Sequence, residues 1–140
     1  MFEGLRYLPI ILAAVIHFVI GMAWYSPALF GKAWAKESGM TPEKMKAAQE
    51  KGMVKQMIIA FVLGLASAFV LMHVLIVVLA LMGSAAYAYK TAFFLWLGFM
   101  LPIIVSGALW GGRSHKLVAI DAGYWLTGII AMTLVMHAMM

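Results

Sequence analysis

Four long apolar stretches, Leu5–Tyr25, Met53–Met82, Thr91–Gly111 and Leu117–Met140, constrain this chain more than any other feature. Each is long enough to cross a hydrocarbon core of ~30 Å as a helix, which takes about 20 residues. Four spans and their loops use up the 140 residues, so the expected architecture is one all-α domain, a polytopic bundle of four transmembrane helices. The apolar residues run continuously and lack the alternation of outer-membrane strands, which argues against a barrel. Composition agrees: 66% hydrophobic and 11% charged residues, against roughly 45–50% and about 25% in a soluble domain. With no cysteine, disulfides, thiol catalysis and zinc-thiolate sites are excluded. Glu3 beside Arg6 and the length of the first apolar run are unlike a cleaved signal peptide, so the first span is expected to be retained.

The basic residues orient the bundle. Lys32, Lys36, Lys44, Lys46, Lys51 and Lys55 follow the first span, and Arg113 and Lys116 lie between the last two, leaving Arg6 and Lys90 for the other side. The positive-inside rule therefore puts loops 26–52 and 112–116 in the cytoplasm and both termini outside, in a multi-pass protein of the cell (inner) membrane. Membrane lipids are the expected partners of these lysines. Nucleic acid is not, because Trp34 alone offers a stacking ring among them.

Ser26-Pro27 and Thr41-Pro42 each combine a capping hydroxyl with a proline suited to a first helical turn. They predict short interfacial helices in the basic loop, one from Pro27 to Glu37 stopped at Gly39, and one from Pro42 that continues into the second span through or near Gly52. Trp24, Tyr25, Phe30 and Trp34 at one interface, and Tyr7, Tyr87 and Tyr89 at the other, fit aromatic belts. Small residues recur at Ala60, Gly64 and Ala68, and at Ala119, Gly123, Thr127 and Ala131, where helix backbones can approach closely. One stripe can serve the bundle and the other a neighbouring subunit, so a homo-oligomer is expected. Pro102 removes the donor for the Gly98 carbonyl and predicts a kink. Gly21-Met22-Ala23-Trp24 and Gly107-Ala108-Leu109-Trp110 form a faint repeat that would relate two parallel hairpins.

Polar groups inside the spans are few. Asp121, early in the fourth span, needs a partner, with Arg113, Lys116 and Lys32 the candidates. His17, His73 and His137 fall on three helices at one depth; convergent, they could hold a metal or haem, but adjacent Met72 and Met136 point away from their histidines, and no cofactor is predicted. Ser67 and Ser106 have no base at an inferable distance, so no catalytic site is assigned and a non-enzymatic role is expected.

Trp24-Tyr25-Ser26-Pro27-Ala28-Leu29-Phe30-Gly31-Lys32-Ala33-Trp34, with Leu101-Pro102 and Asp121-Ala122-Gly123-Tyr124-Trp125 downstream, resembles the family catalogued as domain of unknown function 1761 over essentially the whole chain. The resemblance implies a small four-helix membrane protein and carries no established activity or cofactor. It marks two motifs that can meet at the basic face, as a pocket or a clasp: Trp24, Tyr25, Ser26, Pro27, Phe30 and Lys32 with Asp121, Tyr124 and Trp125. The expected function is a homo-oligomeric binding or structural component of the membrane with an unknown small-molecule ligand. The alternatives are a small transporter or channel using Pro102, Asp121 and His17, and a metal- or haem-binding redox protein.

Overall fold

A computed structural model of the chain describes residues 6–140, so Glu3 and Leu5 lie outside the described residues. Among the described residues four helices are long and apolar enough to cross a membrane: α1 (Tyr7–Trp24), α4 (Val54–Met82), α5 (Ala85–Gly111) and α6 (His115–Met139). Two short helices, α2 (Gly31–Glu37) and α3 (Pro42–Lys51), occupy the basic loop. The protein is an all-α, multi-pass membrane protein built on four antiparallel helices.

The tight connections use one device twice. Gly83 and Gly112 take left-handed conformations (φ +64° and +67°) that end α4 and α5. Ser84 and Ser114 then start the next helices by accepting hydrogen bonds from the backbone N–H groups of Ala86 and Leu117, each 3.3 Å long. A left-handed residue costs glycine little, and a serine oxygen satisfies an orphan N–H at a helix start. The capped helix α5 therefore begins at Ala85, earlier than the apolar stretch from Thr91 suggests.

In the basic loop, Thr41-Pro42 opens α3 as its sequence predicts, with Thr41 Oγ1 accepting from the Lys44 N–H at 3.2 Å. The helix does not continue into α4, because Gly52 adopts φ +81° and breaks it. Ser26-Pro27 does not open a helix either. Ser26 Oγ donates backwards to the Ala23 carbonyl at 2.7 Å, and the Gly31 N–H returns to the Ser26 carbonyl at 2.9 Å. Residues 25–30 are thereby wound into turns, and α2 starts only at Gly31.

The apolar core fills the half of the bundle remote from this loop. Ala13 and Ala14 of α1, Leu71, Met72 and Leu75 of α4, Ala88 and Ala92 of α5, and Ile129, Met132 and Met136 of α6 are buried together. Alanines let the backbones approach, and the unbranched methionines fill the irregular space between them. Near the basic loop the helices part company. Residues 54–60 of α4 are exposed, and Ala108 is the one buried residue in the last eleven of α5. What remains in contact there converges on α6, which meets α1, α2 and the end of α5.

Pro102 is accommodated by a π-helical turn over Trp96–Met100, which contains Gly98 and in which the Leu101 N–H donates to the Trp96 carbonyl five residues back. A widened turn accommodates locally a backbone donor that the proline cannot supply. The faint repeat does not reflect equivalent packing, since Trp24 is drawn into the bundle while Trp110 is 85% exposed.

The small-residue stripes divide differently from expectation. Gly64 and Ala68 are buried and Gly64 faces His17, whereas Ala60 is exposed. On α6, Ala119 and Thr127 are exposed, and the glycine that permits closest approach is Gly128, outside the stripe. A Cβ there would lie 2.7 Å from His17 Cε1, while one on Gly107 would meet nothing within 4 Å. Gly128→Ala is accordingly expected to lower the thermal unfolding temperature in detergent. Gly107→Ala, which gains only helix propensity, should raise stability by about 0.5–1 kcal/mol.

Candidate functional site: an aromatic and acidic clasp

Two layers of polar contacts join α1 to α6 at the basic end. In the outer layer the Tyr25 hydroxyl donates to Asp121 Oδ1 at 2.7 Å, and Arg113 Nη2 pairs with Asp121 Oδ2 at 2.8 Å. One carboxylate thus collects the end of α1 and the α5–α6 turn, each by a charge-assisted bond. Arg113 takes the role that Lys32 was a candidate for. Lys32 is exposed, and Lys116 faces Glu37 at 3.8 Å instead. Exposure of the Lys116 side chain at 76% makes that second pair worth little.

Beside this layer, Trp24 Nε1 donates to the Ile120 carbonyl at 3.0 Å and packs tightly against Gly123. Trp96 Nε1, from the π turn of α5, donates to the Ala122 carbonyl at 2.9 Å. Helix carbonyls have a second lone pair, so two indoles can dock on α6 without unwinding it. The Trp24 ring stacks at a tilt on Phe30, and Tyr25 meets Trp34 and Tyr124 edge-on. Trp24 and Tyr25 are thereby tied to α6, and Trp34 packs on Tyr25.

The inner layer is the His17 ring. It is 3% exposed, stacked on Tyr124 and tilted against Trp125, both at 4.9 Å between centroids. Its Nε2 lies 3.0 Å from Tyr124 Oη, and its Nδ1 has no hydrogen-bond partner. Gly64 of α4 and Gly128 of α6 leave the room the ring occupies.

Of the residues expected at the site, the structure joins Trp24, Tyr25, Phe30, Asp121, Tyr124 and Trp125 in this cluster. Ser26 shapes the turn, and Pro27 is exposed within it. Of the trio named for a transport path, Asp121 and His17 belong to the outer and inner layers of the α1–α6 contact, and Pro102 is exposed on α5. The three histidines do not converge. His73 Nδ1 lies 2.8 Å from the Phe69 carbonyl one turn back, and His137 packs near Tyr89. Among the described residues no three His, Cys, Asp or Glu side chains are grouped to hold a metal. Trp96 was not foreseen; its signal was a tryptophan in mid-span, away from either interface, shortly before Pro102.

A cavity of about 340 Å³ opens beside the clasp between α1 and α4, lined by Phe18, Met22, Tyr25, Gln56, Met57 and Tyr124. Like it, a cavity of about 430 Å³ between α4 and α5 is lined mainly by apolar side chains. The one beside the clasp combines two phenols with an amide.

These features define a small helical membrane protein whose polar groups gather at one end of the bundle. The chain belongs to the family described as "Protein of unknown function (DUF1761)", whose pattern matches residues 8–137. No curated protein and no solved structure matches it.

Burial and the Asp121 carboxylate push the Tyr25 hydroxyl far above its usual range, while Arg113 opposes this weakly. A raised folded value means that the neutral phenol is stabilised. That contribution is complete below the unfolded value of about 10 and is lost as pH rises above it. Unfolding of wild type and Tyr25→Phe compared from neutral to strongly alkaline pH should show the wild-type advantage, about 1.5–3 kcal/mol for a hydrogen bond to a charged group, shrinking as the pH climbs past ten.

Proposed function

We propose that this protein is a non-enzymatic, homo-oligomeric component of the cell (inner) membrane that binds a small amphipathic molecule beside the clasp. Its basic loop and the Arg113–Lys116 turn face the cytoplasm, and both termini face outward. The observation that carries the reading is the cavity in which Tyr25, Tyr124 and Gln56 share one wall space with Phe18 and Met57. Its volume lies at the lower edge of ordinary ligand pockets, about 300–1,000 Å³, and a few polar groups in an apolar lining are what fix a ligand's orientation. The Asp121–Tyr25 bond holds one of those phenols in place. Gln56 is exposed and available to an incoming polar group.

Oligomerisation is supported by the bundle's uncovered flank. Only 11% of the apolar stretch of α5 is buried, against 28–33% for the other three helices. Lateral packing of a second copy would cover it, and the eight basic residues at one end support the orientation.

Native mass spectrometry after release from a mild detergent tests both parts. The expected spectrum is a homo-oligomer with a reproducible small adduct that Gln56→Leu removes. A bare monomer would overturn the reading, and adducts limited to phospholipid and unaffected by Gln56→Leu would reduce it to a structural role.

A further inference from the structure

We propose that His17 is an intramembrane proton-binding site whose occupancy parts α1 from α6. The inference does not rest on the ligand reading, because the ring lies behind Tyr124 and is not itself part of the cavity wall.

The hydrogen positions follow from the contacts. Nδ1 lies on the Gly128 side of the ring, where an added Cβ would overlap it, and has no hydrogen-bond partner among the described residues. A bare lone pair tolerates a Cα–H neighbour, whereas an N–H in that place would be crowded and unsatisfied. Nε2 therefore carries the hydrogen and donates to Tyr124 Oη at 3.0 Å. The Tyr124 O–H is then free to donate to the His17 carbonyl at 3.5 Å. This assignment leaves Nδ1 as the basic atom of the neutral ring.

Binding a proton forms a new N–H bond at Nδ1 and leaves the Nε2–H in place, giving an imidazolium. Its surroundings provide no counter-charge. From α6 the ring faces Tyr124, Trp125 and Gly128, and from α4 it faces Gly64; Tyr124 is the one titratable group among these. Asp121, one turn earlier on α6, is engaged by Tyr25 and Arg113. A cation with an unsatisfied N–H is costly in a closed, apolar seam. Separation of α1 from α6 at Gly128 relieves both costs by admitting water to Nδ1. By linkage, whatever opens the seam raises the affinity for the proton, and the proton favours the open seam.

The natural absence of cysteine permits spin labels at Val19→Cys on α1 and Leu134→Cys on α6, both exposed positions. The full chain in lipid nanodiscs is titrated from about pH 8 to about pH 4, spanning the range in which histidine changes charge. The expected result is a stepwise lengthening of the inter-label distance, lost in His17→Asn. In Tyr124→Phe, which keeps the ring but removes the oxygen that accepts from Nε2–H, the step should move to lower pH. Nitrogen-15 histidine spectra should show Nε2 protonated and Nδ1 bare before the step and both protonated after it. A distance that stays constant throughout, a step that persists in His17→Asn, or a neutral ring with its hydrogen on Nδ1 would each overturn the proposal.

Discussion

Lipid removes the usual reason for helices to associate. Hydrocarbon tails are as apolar as leucine, so burying a side chain against another helix gains little over leaving it in the bilayer. What holds this bundle must be close backbone approach and hydrogen bonds, and both concentrate where α1 meets α6. Gly128 and Gly64 give His17 its place, and beyond it Trp24 and Tyr25 reach across to Ile120 and Asp121. The remaining contacts at the basic end depend on that seam. Without it, the exposed first turns of α4 and the sparsely buried end of α5 have little to close on.

The two halves of the molecule are stabilised by different physics. Remote from the basic loop, alanines and methionines from all four helices make an apolar core. Near the loop, one carboxylate, two indoles and a phenol take over, each satisfying a donor or charge that the bilayer could not. The π turn serves both halves. It accommodates Pro102 and at the same place supplies Trp96, whose indole ties α5 to the Ala122 carbonyl. The side cavity with two phenols and an amide opens in this second half.

Much of this fold was legible because membrane sequences state their spans by hydropathy. Thr41-Pro42 also reads correctly, since a threonine oxygen in reach of Lys44 N–H is a purely local geometry. Ser26-Pro27 has the same letters and a different outcome: its hydroxyl turns back to Ala23, and the chain is drawn towards α6 by its aromatic neighbours. That is a tertiary effect which no local pattern contains. Topology alone was enough to put the Trp24–Lys32 and Asp121–Trp125 segments at one end, and to offer Arg113 as a partner for Asp121. Helical phase was not enough to select Gly128 over the stripe through Gly123 and Thr127, because the packing face of α6 is set by where a histidine from α1 enters. Pro102 announced a disturbance of its helix; whether by a bend or a widened turn depends on how Trp96 docks.

The Tyr25–Asp121 contact holds the α1–α6 seam. A double-mutant cycle of Tyr25→Phe and Asp121→Asn, read by reversible unfolding in a mild detergent, tests it most directly. A coupling energy of about 1–3 kcal/mol, in the range for contacting residues that share a charged hydrogen bond, is the predicted result. Additivity within about 0.3–0.5 kcal/mol, as for independent sites, would contradict the account.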